Sequence, residues 1–218
     1  MASVTVRTLA AKKRAGDPIV ALTAYDFTTA MLEQKAGVDL ILVGDSMNMA
    51  VLGEETTLTA DLEVMLAHTR AVSRGAPRTL VVGDMPFGSY EESDAQAVAG
   101  AVRFLAEGGA HAVKLEGGNR MAISRARAIV EAGIPVMGHL GLLPQSLRAQ
   151  PAGNRTVFDD RMHDRVEHGD DLARVAECGG DVDMVSHGGA DALGDGGFTV
   201  AGRPVHQDRP AGGDGGTE

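Results

Sequence analysis

Between Pro18 and about Ser146, short apolar runs alternate with longer segments of helical periodicity. This alternation constrains the fold more than any other feature of the chain. The apolar runs are "PIVALTAY", "VDLILVGD", "RTLVVGDMPF", "AHAVKLEGG" and "IPVMGHLGL". Between them lie "FTTAMLEQKAG", "TADLEVMLAHTRAVSRG", "ESDAQAVAGAVRFLAEGG" and "NRMAISRARAIVEAG". Strands that alternate with helices are joined by right-handed crossovers and therefore line up in parallel. Nearly continuous apolar strands also call for cover on both faces. Most of the helical segments end in Gly, which a left-handed C-terminal cap favours. Thr59 or Asp61, and Ser93 or Asp94, stand where N-caps are expected.

An open doubly wound sheet and a closed (β/α)8 barrel both fit this alternation. The first strand leads into "TAYDFTTA", not into the glycine-rich turn of a dinucleotide fold. Nearly every strand instead ends in a polar residue: Tyr25 and Asp26, Asp45 and Ser46, Asp84, Lys114 and Glu116, and His139. In a TIM-type barrel those ends converge on one mouth, where active sites are built. The expectation is an α/β barrel with about five βα units recognisable.

The formal charge of −10 argues against a nucleic-acid backbone as the main partner. No apolar run is long enough to cross a bilayer, so no membrane partner is expected. One cysteine, Cys178, excludes an intramolecular disulfide and fits a reducing compartment. The N-terminus places its basic residues after the mildly apolar part, the reverse of a secretory signal, so the chain reads as cytoplasmic. Trp is absent and aromatics make up 3%, which leaves the core to Val, Leu, Ile, Ala and Met.

After Ser146 the character changes. Residues 147–218 hold roughly half of the 29 glycines and many Asp. They show no clear strand and one weak helix, around Asp170 to Cys178. Such composition predicts poor burial and disorder. The expected division is a barrel portion at 1–146 that carries the site and a Gly/Asp-rich tail at 147–218.

Asp45 and Asp84 are the sharpest functional pair. Each follows a glycine at the end of an apolar strand, where an ionised carboxylate is costly unless paired or coordinated. Two such carboxylates on neighbouring strands suit a hard cation, and oxygen ligands with water positions favour Mg²⁺. Glu116 is a third candidate oxygen donor. The alternative is that these acids cap helices or pair with Lys and Arg. Lys114 and Glu116 are two apart and share one side of their strand. Lys114 suits a substrate carboxylate or a developing enolate oxygen, or else a structural ion pair with Glu116. His139 suits a hydrogen bond to a substrate oxygen. His68 and His111 read as surface or packing residues.

Read together, "LTAYDFTTA", "LVGDSMNMAVLGEETTL", "MLAHTRAVSRGAP", "VVGDMPFGSYE", "GGAHAVKLEGG" and "IPVMGHLGLLPQS" closely resemble the ketopantoate hydroxymethyltransferase family, over about Leu9 to Ser146. The resemblance implies a (β/α)8 barrel of the phosphoenolpyruvate/pyruvate superfamily, a homodecamer, and Mg²⁺. It also implies transfer of a hydroxymethyl group from 5,10-methylenetetrahydrofolate to 3-methyl-2-oxobutanoate. Carried over by position, Asp45 and Asp84 become metal residues, with Glu116 contributing directly or through water. Asp45, Ser46, Asp84, Lys114 and His139 become keto-acid residues.

The resemblance stops after "PQS". The family's glycine-rich segment and its strand with the Glu general base have no recognisable counterpart, and neither Glu167 nor Glu177 has that strand context. No catalytic base is therefore assigned, and weak or absent turnover is expected. A tail read out of frame accounts for the change of composition, and a divergent tail is the alternative. Two other functions stay open: a different phosphoenolpyruvate/pyruvate-type enzyme acting on a 2-oxo acid, and a non-catalytic remnant.

Overall fold

A computed structural model describes residues 3–140, Gln145 and the backbone of residues 183–185. In chain order the elements are α1 (Val6–Ala15), β1 (Ala21–Thr23), α2 (Phe27–Ala36), β2 (Leu40–Val43) and α3 (Met47–Ala50). A 3-10 turn at Thr57–Thr59 precedes α4 (Leu62–Gly75), β3 (Leu80–Asp84), α5 (Asp94–Ala106) and β4 (Ala112–Glu116). Then come α6 (Arg120–Glu131), β5 (Val136–His139) and β6 (Asp183–Val185). The strands lie in sequence order in one sheet; β1 to β5 run parallel, and β6 runs antiparallel to β5.

The period of two along each strand sorts its residues between two cores. Ile41, Val43, Val81, Val113, Leu115 and Val136 face the helices and pack with Met65, Leu66, Val72, Ala101, Phe104 and Ile129. Leu40, Leu80, Val82, Ala112 and Met137 face the other way and pack with Leu9 and Ala10 of α1. Residues further along this inner face are Asp84, Lys114, Glu116 and His139, so the polar strand ends share one side of the sheet.

Helix α1 was not foreseen. A reciprocal capping box of Thr5 and Thr8 starts it, and Gly16 ends it in the left-handed region. Lys12 holds it against the sheet by donating to Asp39 at 2.6 Å. Between the expected caps, Asp61 starts α4 and Ser93 starts α5, each accepting from backbone N–H groups two or three residues on.

Three expectations are corrected. Cover on both faces fails at β1, whose three residues are all exposed. As the first strand of the sheet it has, among the described residues, only β2 beside it, and Leu22 is 47% exposed. Gly75 is not a left-handed cap: it lies inside the end of α4, where an added Cβ would meet the Phe27 carbonyl oxygen at 2.3 Å. Glycine there permits close approach of α4 to α2. The region after Ser146 does contain a strand, because β6 pairs with β5. Two expectations, the helix around Asp170 to Cys178 and the disorder of the tail, lie outside the described residues. Among those described, no helix is long and apolar enough to cross a membrane.

Candidate active site

Strand register sets the site. Asp84 on β3 stands beside Lys114 on β4, and Glu116 on β4 stands beside His139 on β5. The turn after β2 adds Asp45, whose backbone N–H donates to Asp84 Oδ2 at 3.1 Å. Lys114 Nζ donates to the same Oδ2 at 2.9 Å and reaches Glu116 Oε1 at 3.5 Å. His139 Nδ1 lies 3.2 Å from Glu116 Oε1. All five residues are buried, with Lys114 only 2% exposed.

Burial sets the protonation of the acids. It raises Asp84 to about 8, against the lowering effect of the Lys114 charge. Asp45 is also raised, chiefly by burial, although Lys114 and a hydrogen bond from Gln145 favour its charged form. Glu116 is held below its ordinary value. Burial pushes it up, but the His139 hydrogen bond, the Lys114 charge and the Gln145 N–H together outweigh that push. An ionised Glu116 can only accept, so the Nδ1 of His139 carries the hydrogen between them. The opposite nitrogen, Nε2, is buried and has no partner among the described residues, and neither has Asp84 Oδ1. With Nδ1–H committed, donation from Nε2 to a substrate oxygen requires the imidazolium.

Ser46 stands apart at the exposed rim, its Oγ 3.0 Å from the Tyr25 hydroxyl. Asp26 takes no part; it caps α2 by accepting from the Thr29 N–H and hydroxyl. His68 is a packing residue whose Nδ1 lies 2.6 Å from the Tyr25 carbonyl oxygen. His111 Nδ1 accepts the Val81 N–H at 3.1 Å.

Two residues went unassigned by sequence reasoning. Gln145 is buried and donates through Nε2 to Asp45 Oδ2 at 2.9 Å and to the Met85 carbonyl at 3.2 Å. Its backbone N–H donates to Glu116 Oε2 at 3.2 Å. Tyr90 is the second, its hydroxyl donating to Gln145 Oε1 at 2.6 Å. Arg125 steadies Tyr90 by donating to its carbonyl oxygen at 2.9 Å. The "PQS" run was the only available signal for Gln145, and nothing local marked what it would touch.

The arrangement can bind a cation and an oxygen-rich substrate. With all groups ionised, Asp45, Asp84 and Glu116 exceed Lys114 by two negative charges, which a divalent ion would offset. Among the described residues, no group of three or more His, Cys, Asp and Glu side chains is arranged to hold a metal ion. A cation here would therefore take most of its ligands from water or substrate.

A family model described as ketopantoate hydroxymethyltransferase matches residues 3–177, past the Ser146 boundary. The chain is 58% identical over 144 residues to a rice (Oryza sativa) protein named 3-methyl-2-oxobutanoate hydroxymethyltransferase 1, mitochondrial. That alignment covers 66% of this chain and 40% of the rice protein. It is 56% identical over 144 residues to the 3-methyl-2-oxobutanoate hydroxymethyltransferase of a Thermoanaerobacter strain, covering 66% of this chain and 52% of that one. The chain thus spans about half the length, or less, of the curated relatives it matches. Among solved structures it resembles 2,3-dimethylmalate lyase, of the PEP mutase/isocitrate lyase superfamily. The TM-score is 0.56 at 20% identity, over 82% of this chain and 64% of the lyase. A phosphonopyruvate hydrolase solved with oxalate and Mg²⁺ gives a TM-score of 0.55 at 14% identity, over 78% of this chain and 70% of that one. These likenesses show the fold: an α/β barrel, of which the described residues form five parallel strands.

Proposed function

Because the chain belongs to the ketopantoate hydroxymethyltransferase family, we propose that its site binds 3-methyl-2-oxobutanoate and a divalent cation. We propose further that it transfers a hydroxymethyl group from 5,10-methylenetetrahydrofolate, giving 2-dehydropantoate. The observation that supports this most is the buried constellation of Asp45, Asp84, Lys114, Glu116 and His139 at adjoining strand ends.

The residues fit Mg²⁺. The buried Asp84 Oδ1 has no partner among the described residues, the donors are hard carboxylate oxygens, and a small protein ligand set suits an ion that keeps several waters. Asp45 and Asp84 would hold it, with Glu116 directly or through water. When bound, the ion supplies Lewis acidity toward the keto acid's oxygens. Lys114, fixed by Asp84 and Glu116, supplies a positive charge where substrate oxygens gather negative charge. Ser46 offers a rim hydroxyl to the keto acid. His139 presents Nε2 from a ring oriented by Glu116. The proton leaves substrate C3, and the electron pair so freed forms the new bond to the one-carbon unit. Both carbon–nitrogen bonds of the methylene bridge break, water supplies the hydroxyl oxygen, and tetrahydrofolate leaves with the C3 proton and one water proton on its two nitrogens. No described residue is assigned as the base, since the strand that carries the family's Glu has no recognisable counterpart and Asp45, Asp84 and Glu116 are given to the cation.

A second reading, binding of metal and keto acid without turnover, is favoured by the want of an assigned base among the described residues. One experiment separates the two. Purified chain is given keto acid, methylenetetrahydrofolate and Mg²⁺, and tetrahydrofolate release is followed; calorimetry measures keto-acid binding in parallel. Slow release with binding supports the transferase, and binding without release supports the second reading. No binding at all refutes both. Turnover without tetrahydrofolate release would point to another 2-oxo-acid enzyme of the superfamily.

A cytoplasmic location and assembly as a homodecamer are further parts of this proposal. The lone Cys178 supports the first and the family resemblance the second. The 1–146 boundary of the site-bearing portion and an out-of-frame origin for the tail also stand as proposals. Sequencing the coding DNA tests the latter: a shifted frame must encode a glycine-rich loop and a strand ending in Glu.

A further inference from the structure

The geometry points to Gln145 as the positioning residue that sets Asp45 and Glu116 for the cation, an inference that rests on the metal reading above. One end of its amide faces only acceptors, Asp45 Oδ2 and the Met85 carbonyl, so that end is the NH₂ group. The other end accepts the Tyr90 hydroxyl, which fixes the choice. A flipped amide would set a carbonyl against a carboxylate and a second carbonyl while depriving Tyr90 of its acceptor. The amide therefore has one orientation, and in it Asp45 Oδ2 must accept. That bond fixes the direction in which the Asp45 carboxylate faces the site.

Gln145 also holds a second carboxylate. Its backbone N–H donates to Glu116 Oε2 while its side chain holds Asp45, so one residue spans two acids from different strand ends. Tyr90 sets the amide, and Arg125 sets Tyr90 through its carbonyl oxygen. Partners of metal ligands act in this way, by fixing the orientation and charge of the ligand rather than by touching the ion.

The test uses the full chain with Mn²⁺ as the probe, read by electron paramagnetic resonance, and melting temperatures with and without Mn²⁺. Gln145→Ala should weaken Mn²⁺ binding about 10–100-fold, the usual effect of losing such a partner. Tyr90→Phe keeps the ring but frees the amide to turn, and should weaken binding by less. Both variants should show a smaller Mn²⁺-induced rise in melting temperature than the wild type. A merely structural role predicts lower melting temperatures with unchanged Mn²⁺ affinity, and that result overturns the inference while leaving the metal reading intact. A wild-type chain that binds no Mn²⁺ overturns the metal reading and this inference with it. If circular dichroism shows Gln145→Ala to be unfolded, Tyr90→Phe decides by the same affinity criterion.

Discussion

Strand β3 delivers Asp84 to the site, and the residue before it is held by a close packing contact that can be tested directly. A Cβ added at Gly83 would lie 2.4 Å from Cδ1 and 2.8 Å from Cε1 of Phe104, which is fully buried in α5. Carbon atoms prefer separations of about 3.5–4.0 Å, so the ring or the strand must retreat by roughly 1 Å. Overpacking of this kind costs about 1–3 kcal/mol. The smaller conformational freedom of an unfolded chain with Ala offsets about 0.4–1 kcal/mol. Gly83→Ala should therefore lose about 1–2 kcal/mol, read as a lower urea midpoint at unchanged slope. Phe104→Leu removes the ring atoms that the new methyl would meet. The double variant should be more stable than the sum of the singles predicts, by about 1 kcal/mol. Additivity within about 0.3–0.5 kcal/mol would refute the reasoning, because the two sites would then not press on one another.

Lys114→Met should destabilise the fold by about 3–5 kcal/mol, since it strips two buried carboxylates of their shared cation. Combining it with Asp84→Asn should recover part of that loss, and equal urea midpoints for wild type and Lys114→Met would refute the expectation. A pH effect should come from His111, whose imidazole burial holds below its ordinary value while Nδ1 accepts the Val81 N–H. The unfolded chain protonates first on acidification, so this stability is complete above about pH 6.5 and is lost as pH falls toward the depressed folded value. The residue is partly exposed, so the effect should be small. His111→Asn supplies a non-titrating acceptor to Val81, and its urea midpoint should fall less than the wild type's between pH 7.5 and 5; parallel curves would refute the assignment.

The legible parts of this molecule were those written in neighbouring residues. The five parallel strands were visible as apolar runs, and Asp45, Asp84, Lys114, Glu116 and His139 were visible as polar interruptions at their ends. Asp61 and Ser93 announced their helices because a cap acts on N–H groups only two or three residues away. What escaped depended on distant partners. Gly75 resembles a cap in sequence, and only the carbonyl of Phe27 shows why a side chain is excluded. Helix α1 carries Lys12, Lys13 and Arg14 in its last turn and buries only Leu9 and Ala10, so its apolar signal is thin. The exposure of β1 follows from its place in the sheet rather than from its own residues. Gln145 has an ordinary polar side chain until Asp45, Glu116 and Tyr90 surround it.

The bond between Gln145 and Asp45 joins residues 100 positions apart. During synthesis at about 5–20 residues per second, Asp45 leaves the ribosome roughly 5–20 s before the amide that orients it. Closing so long a loop carries an entropic cost, so this link belongs among the late events of folding. A nascent chain that has already paired β2 with β3 still holds an Asp45 with no amide donor. The proposed cation uptake through this pair should therefore mark completed folding rather than help to start it.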